Sequence, residues 1–318
     1  METKLIYIVG GGHSGSTLLD MLIGTAPEVV NLGEVYFFES YNYPGSDPKL
    51  YVVYSKMCAC GEQFSDCSFW QAVNRKLPNR MHIIRYNTLA ENVKITWNMA
   101  SPLPTRYSFR VSTGDDATLF EAIESVLRET GETPLYLLDS SKDPRRLVRL
   151  TQLFGSDKLV VIHLIRDGRG YVNSYANTQK ERVCVWGQKP QNFLICAIKW
   201  ILFNWMTRRY IKKHKLQSLH ISYDLFCQNP AQYINILNER LSIHIPENYL
   251  GALNSTRYHT IHGNLMKFKG ITSITHDKSW RRELSWGKRV ILTALLFPFN
   301  YIFTYHDDFS AEVEHIET

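Results

Sequence analysis

The sequence predicts an α/β protein in three layers, a central parallel sheet flanked on both faces by helices. Two observations carry this prediction. Apolar runs of strand length alternate with segments of helical periodicity, and the first such run empties into a glycine-rich turn that opens a helix. Strands that read as near-continuous apolar runs are those buried on both sides, as in a parallel sheet between helices. Ligands of such folds sit at the carboxyl ends of the strands.

Taken in order, the first strand covers residues 5–9, followed by the turn Gly10-Gly-Gly-His-Ser-Gly15 and a helix over 17–23. Further strands are expected at 29–32, 135–138, 159–165 and 219–222. Helical periodicity covers 117–128, 145–153, 170–178, a long stretch at 191–213, and 231–240. Between about 36 and 110 the alternation lapses, and helices are expected near 69–76 and 83–99. This stretch reads as a substrate-facing insertion in a single domain spanning 1–318. The late apolar run 290–303 contains Pro298 and Asn300 and is too short to span a bilayer. It reads as a buried C-terminal helix followed by an aromatic tail.

With 318 residues, 44% apolar and 21% charged, the chain has the composition of a globular protein with a large core. Its formal charge of +6 is spread along the sequence, which favours an anionic small molecule over a nucleic-acid groove. The first residues run straight into strand and turn rather than into an apolar leader, so a cytoplasmic protein without a transmembrane segment is expected. Cys58, Cys60 and Cys67 cluster within ten residues. Reduced thiols packed in a compact loop are the favoured reading. A zinc ion with a fourth ligand from elsewhere, or a disulfide in an oxidising compartment, are the alternatives.

The glycine turn makes an anion cradle, because strand, turn and helix N-terminus aim backbone N–H groups and the positive end of the helix dipole at one point. Against the template G-x-x-x-x-G-K-[ST], Gly10, Gly15 and Thr17 fit, but Ser16 stands where ATP-binding loops carry lysine. A phosphate-bearing ligand other than ATP is expected. A second anion site follows the fourth strand, where Arg166-Asp-Gly-Arg169 leads into a helix bearing Ser174. A guanidinium and a helix-borne hydroxyl can share one phosphate. Two such sites on neighbouring strand ends call for a ligand with separated anionic groups.

Here the chain resembles the sulfotransferases that use 3′-phosphoadenosine 5′-phosphosulfate (PAPS), in their bacterial branch and with similarity to the tyrosylprotein branch. His13-Ser-Gly-Ser-Thr17 is similar to their 5′-phosphosulfate loop in all but its first residue, and Arg166-Asp-Gly-Arg169 with Ser174 has the spacing of their 3′-phosphate site. Further likenesses lie at Asn31–Glu34, Asp139–Pro144, Ile221–Phe226, and His262–Gly270 with Ser279–Leu284. The resemblance implies a P-loop NTPase-like fold and in-line, metal-free transfer of a sulfuryl group from PAPS to a hydroxyl or amine of an organic acceptor.

The resemblance also implies residue roles. Ser14, Gly15, Ser16, Thr17 and Leu18 would bind the phosphosulfate, and Arg166 and Ser174 the 3′-phosphate. Tyr223 would sit beside the adenine, with Asn264 near the sulfuryl group and Lys269-Gly270 over the 3′-phosphate. Glu34 would be the general base and Lys142 would stabilise charge on the transferring group, in a stretch where Asp139, Ser140 and Ser141 also read as helix caps before Pro144. His13 replaces a Lys or Arg. It would work at reduced charge, leave that burden to Lys142, or serve as the acceptor's base. The aromatic residues after Glu34 (Tyr36, Phe37, Phe38, Tyr41 and Tyr43) suit either an aromatic-lined acceptor pocket or core packing. A P-loop kinase with an unusual loop and a catalytically impaired nucleotide-binding relative remain as rival readings.

Overall fold

A computed structural model of the chain describes residues 3–39, 57–79, 83, 88–176, 191–256 and 258–305. Its sheet has five parallel strands, β1 (Lys4–Gly10), β2 (Val29–Gly33), β3 (Tyr136–Lys142), β4 (Leu159–Ile165) and β5 (Gln217–Ser222), in the order β2-β3-β1-β4-β5. The expected strands are all present, and β4 has the expected bounds. Alternation along β1 explains the two cores. Leu5, Tyr7 and Val9 enter the apolar layer on one face, Ile6 and Ile8 that on the other. Each such side chain contributes about 1.5–3 kcal/mol on burial.

Helices cover both faces: α1 (Ser16–Ile23), α2 (Ser68–Arg75), α3 (Leu89–Ala100), α4 (Asp116–Glu129), α5 (Pro144–Phe154), α6 (Gly168–Ala176), α7 (Phe193–His214), the single turn α8 (Tyr223–Phe226), α9 (Pro230–Leu241), α10 (Tyr249–Ser255), the short α11 (Trp280–Glu283) and α12 (Trp286–Phe303). Residues 177 and 178, the expected end of α6, lie outside the described residues. The helix expected from 83 starts only at Leu89. Thr88 accepts from the Glu91 N–H at 3.2 Å, and that T-x-x-E cap fixes the start. Ile83 lies outside any helix, its N–H on Glu39 Oε2. Within the stretch 36–110, Trp70, Val73, Ile95 and Met99 join the core layer of Leu5 and Tyr7.

Two expectations fail. The residues Asp139, Ser140 and Ser141 are not helix caps but the buried end of β3. The cap of α5 is Asp143, which accepts the Arg145 N–H at 2.8 Å, with Pro144 at the first helical position as expected. The C-terminal helix α12 is not buried. Leu292, Leu296, Asn300 and Phe303 form its one buried stripe, while Trp286 (74% exposed), Phe297 (65%) and Tyr301 (54%) face outward. A helix apolar all round needs neighbours on every side, and among the described residues α6 and α7 cover only one. No described helix is long and apolar enough to cross a membrane.

Irregular pairing at two strand ends positions the site. Tyr7 and Val9 of β1 pair with Asp139 and Lys142, so β3 carries an extra residue there, and Lys142 has φ of 68°. On the other side of β3, Asn31 and Gly33 pair with Leu138 and Asp139, and Gly33 has φ of 72°. Bulges re-aim the side chains that follow them, here Lys142 and Glu34. A Cβ on Gly33 would meet the Ile261 carbonyl at 2.5 Å, so the position requires glycine twice over.

Below these ends lies Asp20 of α1, 3% exposed. Burial pushes its carboxyl up to about 7, while its backbone carbonyl accepts the Asn31 amide at 2.8 Å. Its protonated form therefore belongs to the folded state, and stability falls as pH rises through the interval between the ordinary 3.8 and about 7. One pKa unit corresponds to about 1.4 kcal/mol, so the full span reaches about 4 kcal/mol. The urea midpoint is expected to drop between pH 5 and pH 8, and Asp20→Asn to flatten that slope; equal slopes in both proteins would refute the assignment.

Candidate active site

The turn between β1 and α1 closes on Gly15, whose φ of 89° is left-handed, and among the described residues no side chain caps the helix that follows. The Leu18 and Leu19 N–H groups return to the Gly15 carbonyl at 3.0 and 3.2 Å. Three tyrosines wall the turn. A Cβ at Gly11 would strike Tyr171, one at Gly12 the Tyr175 hydroxyl, and one at Gly15 the Tyr223 ring at 2.1 Å. Ser16 and Ser14 are buried, and Ser14 Oγ has no hydrogen-bond partner among the described residues.

Arg166 leaves the end of β4 and joins this turn. Its Nη1 donates to the His13 carbonyl at 3.0 Å, Nη2 donates to Asp277 Oδ2 at 2.8 Å, and its guanidinium lies 5.6 Å from the Tyr223 ring centre. Its Nε is buried with no hydrogen-bond partner among the described residues. The group overlies the first turn of α6, since a Cβ at Gly170 would come within 2.9 Å of Nε. Ser174, one turn on, donates to the Gly170 carbonyl at 3.0 Å, so Arg166 and Ser174 flank the same residue. Beside them Asp167 turns back onto Arg169 and the Asn300 amide, closing the strand–helix corner.

On the opposite side of the turn, the Glu34 carboxylate (5% exposed) pairs through Oε1 with Lys142 Nζ. Its Oε2 lies 3.9 Å from His262 Nε2 and makes no hydrogen bond among the described residues. The Glu34 N–H is fixed by the Ile261 carbonyl at 2.9 Å. Asn264 ties this cluster to the loop, its N–H donating to Thr17 Oγ1 at 3.2 Å. His262 stacks on Phe37 with ring centres 3.8 Å apart. Half-buried Lys267 donates to the carbonyls of Thr260 and His262, and desolvation lowers its ammonium to about 8.

Five non-glycine residues have positive φ among the described residues. Lys215 and Ser242 are ordinary left-handed helix ends. The other three, His13 (62°), Lys142 (68°) and His262 (56°), all belong to this site. Such backbone costs of order 1 kcal/mol or more per residue and persists where surrounding structure imposes it.

The structure thus brings together Ser14, Gly15, Ser16, Thr17, Leu18, Glu34, Lys142, Arg166, Ser174, Tyr223, Asn264 and the backbone of His13. The His13 ring packs edge-on against Tyr175 at 5.2 Å. Lys269 and Gly270 stay apart: Lys269 is exposed, and Gly270 lies against Asn254 of α10. Of the aromatic run, Tyr36 and Phe38 are core residues and Phe37 meets the site through His262. Tyr41 and Tyr43 lie outside the described residues. Sequence reasoning placed His262 in a family-like stretch without giving it a role, and missed Asp277. A His-Gly pair after an apolar residue was the available signal for His262. Nothing local marks Asp277, which meets Arg166 from 111 residues away.

Solved structures of similar fold exist. The sulfotransferase domain of the Synechococcus PCC 7002 olefin synthase is similar at 17% identity and a TM-score of 0.50, over 95% of this chain and 96% of its own. This chain has a sulfotransferase-type fold. The sulfotransferase domain of the curacin biosynthetic pathway matches at 16% identity and a TM-score of 0.47, over 93% of this chain and 98% of its own. No protein-family model and no curated protein matches the sequence.

Proposed function

We propose that the protein is a PAPS-dependent sulfotransferase acting on a hydroxyl or amine of a small organic acceptor. The observation that carries this reading is the bond from Arg166 Nη1 to the His13 carbonyl at 3.0 Å, which fuses the uncapped turn and the strand-end guanidinium into one cradle. Two buried polar atoms in it, Ser14 Oγ and Arg166 Nε, have no hydrogen-bond partner among the described residues, as expected of groups that take up anionic oxygens. The N–H groups and hydroxyls of residues 14–18 would hold the phosphosulfate. Arg166 and Ser174 would hold the 3′-phosphate, displacing the Asp277 carboxylate from the guanidinium, and Tyr223 would flank the base. The reading does not rest on Lys269 and Gly270.

In the reaction so proposed, the acceptor oxygen or nitrogen forms a bond to sulfur as the bond from sulfur to the bridging phosphate oxygen breaks. Glu34 Oε2 takes the acceptor proton, and 3′-phosphoadenosine 5′-phosphate leaves. The transition state is loose, so positioning and charge stabilisation carry the catalysis. Lys142 supplies the charge from one side, the amides of α1 from the other, and His13 lines the loop. This arrangement asks for no metal in the transfer step. A kinase would want a lysine where Ser16 is buried.

Titration calorimetry with 3′-phosphoadenosine 5′-phosphate and with magnesium–ATP tests the reading. The bisphosphate should bind, and Arg166→Ala should weaken it about 100-fold, since a charge-assisted hydrogen bond contributes about 1.5–3 kcal/mol. A thermal melt serves as the folding control. Binding of magnesium–ATP with no response to Arg166→Ala would refute the sulfotransferase reading and favour a kinase.

A further inference from the structure

Outside the nucleotide cradle, Cys58, Cys60, Cys67 and His259 converge, with one ligand atom from each all within 4.8 Å of one another. They come from three separate pieces of backbone. Cys58 and Cys60 sit in a turn closed by the Gly61 N–H on the Cys58 carbonyl and the Cys58 N–H on the Glu62 carbonyl, with Gly61 at φ of 96°. Cys67 precedes the first residue of α2, its N–H on the Gln63 carbonyl. His259 arrives from the segment after α10, nearly two hundred positions later.

We propose that these four residues form a structural zinc site. The sulfur and imidazole atoms lie at separations close to those of a tetrahedral shell. His259 Nδ1 lies 3.2 Å from Cys67 Sγ and 3.9 Å from Cys58 Sγ. A tetrahedron with Zn–S of 2.3 Å and Zn–N of about 2.0 Å has edges of roughly 3.5–3.8 Å. The imidazole is aimed rather than loosely packed. Trp70 Nε1 donates to the His259 carbonyl at 2.7 Å, the His259 ring stacks on Phe69 at 5.1 Å, and the Ala59 N–H bonds the neighbouring Thr260 carbonyl at 3.1 Å. Cys58 and Cys67 are fully buried, and none of the three thiols is in a disulfide. Three sulfurs and one nitrogen are a soft tetrahedral set, which selects zinc among common divalent ions. Four protein ligands leave no open position, so the ion is structural; on binding, the thiols release their protons to solvent.

The site has a reason to exist. Two residues after His259, Ile261 pairs with Gly33 and holds the Glu34 N–H, and His262, Gly263 and Asn264 follow along Glu34 and Thr17. Zinc would clamp the strap that forms one wall of the cluster around Glu34 to the loop before α2.

The full chain, purified without a histidine tag and with reductant, is assayed for metal and then titrated with Co(II) after chelation. One zinc per chain is expected, together with a sulfur-to-cobalt charge-transfer band and the intense visible bands of tetrahedral cobalt. Cys60→Ser should dim the charge-transfer band and weaken zinc by more than the roughly 10–100-fold that loss of even an outer partner causes. His259→Gln should shift the visible bands while keeping the charge transfer. The site is refuted if the wild-type chain carries no metal, shows no cobalt charge transfer and leaves all three thiols open to alkylation. A disulfide found by non-reducing mass analysis, or a folded Cys60→Ser that holds zinc like the wild type, would refute it equally. The wild-type measurements decide the matter even where a variant does not fold, and neither depends on the sulfotransferase reading.

Discussion

In the proposed reaction Glu34→Gln is expected to lower the transfer rate about a thousandfold, within the 10²–10⁴ range of a positioned general base, while bisphosphate binding is kept. The expectation follows from the two oxygens of Glu34. Oε1 is held by Lys142, and Oε2, without a hydrogen bond among the described residues, is the atom that can receive a proton. Glutamine preserves the shape and removes the proton acceptor. Because Arg166 and Ser174 lie across the loop from Glu34, donor binding and proton transfer should separate in the variant. Single-turnover measurement with saturating PAPS and an acceptor found by screening gives the rate, and calorimetry gives the affinity. A variant retaining most of its rate would move the base to another group, with His262 the nearest candidate at 3.9 Å.

Arg146→Ala is expected to destabilise the fold by about 3–5 kcal/mol, the cost of leaving buried charge without its partner. Arg146 of α5 has no exposed surface. Its Nε donates to Asp139 at 2.8 Å and its Nη1 to Asp116 at 2.6 Å, and both carboxylates are 1% exposed or less. Removing the guanidinium leaves two acids facing each other in the core, where burial already pushes the Asp116 carboxyl up. In the variant the protonated acids are the forms that tolerate burial, so its stability deficit should shrink as pH falls. Urea unfolding at neutral and acidic pH measures both the loss and its sign. A deficit under about 1 kcal/mol, the level of a surface pair, would show that the triad does not hold the end of β3. The triad also reaches the site, since Asp139 binds the Ser141 N–H and hydroxyl, and Ser141 Oγ accepts the Tyr36 N–H at 3.1 Å. The ends of β3 and of the turn after Glu34 are thereby locked together.

Much of the fold was legible because local pattern and tertiary environment agree. The run Leu159–Ile165 is apolar at every position except His163 and is buried at every position. The helix over Asp116–Glu129 repeats apolar residues at turn spacing and buries that stripe. Where the pattern misled, the reason is physical. The run 290–303 is apolar on all sides, and hydrophobicity alone does not say how many neighbours a helix will have. Asp139, Ser140 and Ser141 are good capping residues by type, but the register with β1 and β2 carries them into the sheet as strand.

The sequence by itself determined the parallel sheet, the glycine turn and the strand-end arginine, because each is written in contiguous residues whose backbone preferences act over a few positions. Only the tertiary structure decided what those parts face. Asp277 against Arg166, His262 beside Glu34, and His259 among the cysteines are contacts over 111, 228 and 192 positions or more. No local propensity encodes such distances. They are fixed when strand register and helix packing bring the loop ends to one edge of the sheet, where side chains remote in sequence come to share a few ångströms.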